Sequence, residues 1–155
     1  MKKTVIYIVS LVALFSASNV AMRTIEVKND NQFSCTARYT TQMNDVQINS
    51  IIRFIFNDGD GIATLDGSVI DGPGPLKTVS RKVLFKYDRE NTSYFLTTTN
   101  ASVQSDDESN TDEMKKNVPD FYLIKDATIN FDIYPLKQNS YLFTSRKIPS
   151  FYCTK

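Results

Sequence analysis

The chain has 155 residues, room for one domain and an N-terminal segment. A formal net charge of +1 leaves no basic field for nucleic acid and no acidic solvating tail. Histidine is absent, which removes the commonest general base and metal ligand; tryptophan is absent too, while 10 Phe and 8 Tyr suit a β-rich core.

Lys2 and Lys3 precede an apolar run, TVIYIVSLVALFSASNVAM, which Arg23 closes. That flank predicts export with the N-terminus left in the cytoplasm. Two readings of the run stand open at this point. Residues 5–15 have the length of a signal-peptide core, with Ser16-Ala17-Ser18 as a cleavage site. Residues 4–22 taken whole approach the roughly 20 that span a bilayer. On either reading the rest of the chain lies outside the cytoplasm. Residues 1–23 are therefore an anchor or leader, 24–32 a polar linker, and 33–155 the domain.

Residues 33–41 (FSCTARYTT) form the first expected strand, and 46–56 the second. In the second, Val46, Ile48, Ile52, Phe54 and Phe56 face one way. Gln47, Asn49 and Arg53 face the other, and Ile51 and Ile55 interrupt that polar face. The stretch FNDGDGIATLDG then crowds Asp58, Asp60 and Asp66 among glycines. A calcium loop with Gly61 at its invariant glycine would need ligands where Phe56 and Gly67 stand. Asp-Gly between β-rich runs instead signals a hairpin, through Asp58-Gly59 or Asp60-Gly61. The third strand is 62–70, and the DGPGP that follows cannot be ladder.

The fourth strand, 78–88 (TVSRKVLFKYD), puts Val79, Val83, Phe85 and Tyr87 on one face with Arg81. Ser80, Lys82, Lys86 and Asp88 point away, with Leu84 among them. Arg81 either runs its stem along the core with its head in water, or meets a buried carboxylate or an anionic ligand. Arg81, Phe85 and Tyr87 are thus the candidate ligand or partner contacts. The fifth strand is 93–103. Asn91 and Asn100 each open a glycosylation sequon, which matters only in a eukaryotic secretory pathway. QSDDESNTDEMKKN reads as a solvated loop with a helical turn capped near Ser105 or Ser109. Residues 127–135 and 140–146 are the sixth and seventh strands, and Phe151 and Cys153 share a face of a last short one. Seven or eight strands at this spacing predict an all-β antiparallel sandwich or barrel.

Little in the chain announces chemistry. Without histidine there is no Ser-His-Asp or Cys-His set. No phosphate-binding glycine loop and no zinc spacing occurs, and the aspartates cluster in turns. The reading is of a protein that is not an enzyme, with no cofactor, no metal and no nucleic-acid partner. Cys35 and Cys153 predict a disulfide in an exported chain; a redox pair would favour a close C-x-x-C.

Several segments recur together in a known pattern: Phe33-Ser34-Cys35, the strand–turn–strand from Phe56 to Gly67, and Val79-Ser80-Arg81-Lys82-Val83 with Phe85 and Tyr87. Pro119-Asp120-Phe121-Tyr122 and the closing Pro149-Ser150-Phe151-Tyr152-Cys153 complete it. The chain resembles the FidL-like family of small enterobacterial inner-membrane proteins. That resemblance implies a single N-terminal transmembrane helix, inner-membrane attachment and a periplasmic C-terminal domain. It carries over no catalytic residue. It implies an accessory partner of a membrane-anchored, ToxR-type transcriptional regulator. The alternative is a periplasmic β-barrel that holds a small amphipathic ligand. An exposed strand edge favours the first, a hollow interior the second.

Overall fold

The structure is a computed structural model that describes residues 32–43, 45–146 and 148–155. Eight strands are present: β1 Gln32–Met43, β2 Val46–Asn57, β3 Asp60–Asp71, β4 Lys77–Glu90, β5 Ser93–Val103, β6 Thr128–Pro135, β7 Ser140–Ser145 and β8 Ile148–Thr154. Each hydrogen-bonds to the next in chain order, and β8 returns to β1, so the sheet is a closed antiparallel barrel rather than a sandwich. The expected N-terminal helix lies outside the described residues. Among the described residues no helix is long and apolar enough to cross a membrane.

Strand periodicity sets inside from outside. In β2 every second residue from Val46 to Phe56 is buried and every residue between is exposed. β4 follows the same rule from Arg81 to Tyr87, with Arg81 at an inner position; Val79 is buried too, and Ser80, expected to point away, is also buried, its hydroxyl donating to Asp66. The expected hairpin tip is there: Asn57 pairs with Asp60, and the residues between, Asp58 and Gly59, have φ of 47° and 90°. Two central residues at positive φ are what a tight hairpin with right-twisted strands requires. Of the two candidate turns the chain uses Asp58-Gly59, and Asp60-Gly61 opens β3.

The interior is filled by aromatic rings. Phe54 stacks on Phe143 at 5.3 Å and on Phe151 at 5.9 Å, and meets Phe85 and Phe131 edge-on at 6.4 and 6.3 Å. Rings from β2, β4, β6, β7 and β8 thus converge on one side chain. Each well-placed aromatic pair adds about 0.5–1.5 kcal/mol beyond its buried area. Gly61 makes room for this packing. It lies opposite Phe85 in the β3–β4 ladder, and a Cβ there would run into the Phe85 ring.

In this meander the β1–β2, β3–β4, β5–β6 and β7–β8 connections share one end. Three are short; the β5–β6 connection is long and folds over that end as a cap. It holds a one-turn helix, α1 (Thr111–Met114), and a 3₁₀ turn at Asp120–Tyr122. The expectation of a solvated loop over QSDDESNTDEMKKN is corrected at Asp107, Met114 and Asn117, which turn inward, while the VPDFYLI stretch after it brings further apolar residues to the mouth. Met114, Val118, Phe121, Tyr122 and Leu123 are buried, because a barrel mouth needs apolar side chains to seal it. Phe121 reaches Phe85 at 5.6 Å, and Tyr122 meets Phe54 edge-on at 6.5 Å. The expected cap of the helical turn is also corrected. Asn110 is the N-cap, its side chain accepting from the Asp112 N–H, while the Ser109 hydroxyl is engaged by Asp107. Thr98 fastens the cap to the wall by donating to the Phe121 carbonyl at 2.7 Å.

Candidate functional site

Arg81 lies on the inner face of β4 at the capped mouth. It is 2% exposed, so its head does not run out to water. A buried guanidinium needs a counter-charge and a full set of acceptors. The cap supplies both. Nε donates to Asp107 at 2.5 Å and Nη2 to the other carboxylate oxygen at 3.4 Å. Nη1 donates to the Thr111 hydroxyl at 3.1 Å, and Nη2 also reaches the Ser109 hydroxyl at 2.9 Å. Asp107 in turn accepts from the backbone N–H groups of Ser80 and Ser109 at 2.9 and 2.8 Å. Burial alone would raise the Asp107 carboxyl. The hydrogen bonds from Ser109, Ser80 and Arg81 outweigh it and hold the group below the ordinary carboxylate range. This cluster clasps the 104–111 segment to β4. Of the alternatives for Arg81, the geometry is that of the buried carboxylate.

Phe85 and Tyr87 share the inner face with Arg81, as their spacing predicts, but the three do not form one site. Arg81 and Tyr87 stand about 20 Å apart along β4. Phe85 is 1% exposed and Tyr87 7%, both inside the aromatic core, where a partner's surface cannot touch them. Tyr87 packs on Phe56 at 5.1 Å and on Tyr94 at 5.7 Å.

At the opposite end, where Gln32 enters and Thr154 leaves the barrel, Cys35 and Cys153 are bonded with their Cα atoms 5.4 Å apart. The bridge fixes the seam between β1 and β8, and that seam is short. Its register pairs are Thr36 with Thr154 and Ala37 with Cys153, two in all, against six between β7 and β8. Beyond Ala37 toward the capped end, β1 continues to Met43 and β8 reaches back to Ile148 with no register pair between the two among the described residues. Tyr39 and Phe151 point inward on either side of this opening. Both are only partly buried, whereas Phe54 and Phe143 on the inner faces of other strands are fully buried. Over the paired positions of the seam and the adjoining Arg38 and Tyr152 runs a groove of about 540 Å³ lined by Thr36, Ala37, Arg38, Ile51, Tyr152 and Thr154.

Under the cap, beside Tyr39, lies a group of polar atoms that sequence reasoning missed. The Tyr39 hydroxyl donates to the Asn117 carbonyl at 3.3 Å. Both side-chain amide atoms of Asn117 and the Tyr122 hydroxyl are buried with no hydrogen-bond partner. Burial pushes the Tyr122 phenol well above its ordinary value, and the nearby Tyr39 adds to the shift. Tyr39 is raised by burial as well, offset in part by a hydrogen bond with Thr41. Each orphaned buried polar group costs about 1–3 kcal/mol, so three together in one place call for a reason. No sequence signal picks out Asn117, which closes a charged run that looks solvated.

Residues 32–153 match the family model of the YqeJ C-terminal domain, from the first residue of β1 to the second cysteine of the disulfide. The chain belongs to that family. No curated protein and no solved structure matches it.

Proposed function

We propose that this member of the YqeJ C-terminal domain family works by pairing with another protein, as a membrane-anchored periplasmic accessory of a ToxR-type transcriptional regulator. The observation that carries this reading is the filled interior. Phe54, Phe56, Phe85, Phe121 and Phe143 are each at most 1% exposed and occupy the space a ligand chamber would need. That weighs for a function on the outer surface and against an amphipathic ligand held within. The disulfide fits an oxidising compartment.

The FidL-like resemblance supplies the finer part: residues 1–23 as an uncleaved inner-membrane anchor and the regulator as neighbour. A tether holds a domain near other anchored proteins and raises its effective concentration toward them. β1 begins at the disulfide end of the barrel, and the cap and the open part of the seam lie at the barrel's other end.

The test is affinity purification of the tagged full-length chain from crosslinked membranes, with identification of partners by mass spectrometry and N-terminal sequencing of the chain. The expected outcome is an intact N-terminus and enrichment of a membrane-anchored regulator. A mature form that starts near Asn19 and leaves the membrane would refute the anchor. Recovery of no membrane protein above a tag-only control would refute the pairing.

A further inference from the structure

The seam opening is a pair of strand edges with no strand between them. β1 from Arg38 to Met43 is bound to β2 on one side and has no register partner in β8 on the other. On the facing edge, Pro149 has no N–H to give, so β1 is the edge on which a ladder can grow. Barrels close to abolish such edges, and this one closes only at its disulfide end.

We infer that the opening between β1 and β8 receives an extended segment of a partner protein, which pairs with β1 and presents an acidic side chain to Arg38. This rests on the pairing reading above and names its site. Three observations specify the occupant. First, a free strand edge presents a row of N–H and C=O groups along which another strand can pair. Second, Arg38 is exposed on the groove and makes no ion pair among the described residues, so it supplies an unanswered positive charge. Its flanks are apolar. Tyr152 is 52% exposed and Ile51 45%, and Tyr152 continues through Leu142 to Tyr134 as direct cross-strand neighbours on the outer face. An acidic residue between apolar or β-branched ones, spaced at every second position, complements that row. Third, under the cap the buried Asn117 side-chain amide has an unmet donor set and an unmet acceptor among the described residues, and the Asn117 backbone carbonyl accepts from Tyr39 of β1. Those are the groups that a peptide's C=O and N–H satisfy.

The test uses the full-length chain in detergent micelles and three octapeptide probes. One alternates valine and threonine around a central glutamate, the second carries lysine in its place, and the third is the first N-methylated on alternate amides. Hydrogen exchange on the protein alone should find alternate amides of residues 38–43 exchanging far faster than those of β2. The glutamate peptide should slow them and shift resonances of residues 36–43 and 150–154. The lysine peptide should bind about tenfold more weakly, Arg38→Glu should invert that preference, and the N-methylated peptide should not bind. Protection of residues 38–43 equal to that of β2 before any peptide is added would overturn the inference. So would no binding by the glutamate peptide at millimolar concentration, indifference to the charge of the central residue, or shifts confined to another face. Sedimentation of a dimer that Tyr152→Asp dissociates, with the exchange of residues 38–43 rising in step, would assign the edge to a second copy instead. Membrane co-purification separates this inference from the reading beneath it. A partner that wild-type and Arg38→Glu chains retain equally removes the seam as the site and leaves the pairing intact.

Discussion

Replacing Asp107 by alanine tests how the cap is held. The carboxylate accepts from Arg81 Nε at 2.5 Å, from the Ser80 and Ser109 backbone N–H groups at 2.9 and 2.8 Å, and from the Ser109 hydroxyl at 2.6 Å. The Arg81 and Asp107 side chains are 2% and 0% exposed. Alanine leaves a buried guanidinium with only the Thr111 and Ser109 oxygens for company. Removing one member of a buried ion pair costs about 3–5 kcal/mol. A domain of this size is stable by about 5–15 kcal/mol, so Asp107→Ala should remove roughly a fifth or more of the margin. Urea unfolding followed by tyrosine fluorescence and far-ultraviolet dichroism measures it; the chain has no tryptophan to complicate the signal. Arg81→Met combined with Asp107→Ala should be more stable than Asp107→Ala alone, because the uncompensated charge leaves with the arginine. A loss under about 1 kcal/mol for Asp107→Ala, or a double variant weaker than the single, would refute the clasp.

The same carboxylate fixes the sign of a pH dependence. Its folded-state pKa lies below its ordinary value of 3.8, so the folded state holds the charged form more firmly than the unfolded chain does. Its contribution is therefore whole above that ordinary value and is lost as pH falls through the folded-state pKa. The stability gap between the wild type and Asp107→Asn should stay level from neutral pH to about pH 5 and narrow below about pH 4. A gap that widens on acidification contradicts the assignment.

Two further outcomes follow from single contacts. The disulfide closes a loop over a sequence separation of 118, for which the chain-entropy relation gives about 5 kcal/mol as an upper guide. Replacing Cys35 and Cys153 by alanine should cost about 2–5 kcal/mol in urea unfolding, and non-reducing alkylation mass analysis should find no free thiol in the wild type. Gly61→Ala places a Cβ against the Phe85 ring and 2.8 Å from the Ile55 carbonyl, and should destabilise the barrel by about 1–3 kcal/mol. Adding Phe85→Leu should recover part of that loss, and a neutral Gly61→Ala would mean the core has slack that the ring distances deny.

The strands were legible in the sequence because the barrel wall is apolar on one side only. β2, expected at 46–56, runs Val46–Asn57, and β5 matches its expected bounds. Closure was legible only in the cysteines, whose expected bridge brings the first and last strands side by side, as they are. A sandwich and a barrel have the same alternation along each strand, and they differ in whether the first strand meets the last across more than 100 residues. The cap hid for a different reason. Met114 is set among charges, and the apolar residues that return over VPDFYLI show neither strand nor helix periodicity; what buries them is a mouth formed by distant strands. Within Asp106-Asp107-Glu108 composition cannot say which carboxylate turns inward; the reach of Arg81 does.

Four residues break the pattern visibly, Arg81 on an inner face and Ile51, Ile55 and Leu84 on outer ones, and the structure gives Arg81 and Ile51 a physical account. Arg81 is a charge on an inner face, and it sits at the clasp that holds the cap. Ile51 is an apolar residue on an outer face, and it lines the groove beside Arg38 and Tyr152. A wall that follows its alternation needs only packing to explain it, so departures from it are where other demands act. Arg81 answers a demand inside the chain, since every group around it belongs to the same fold. Ile51 stands exposed beside Arg38, which makes no ion pair among the described residues, next to the two-pair ladder between β1 and β8, where the proposed partner strand would add.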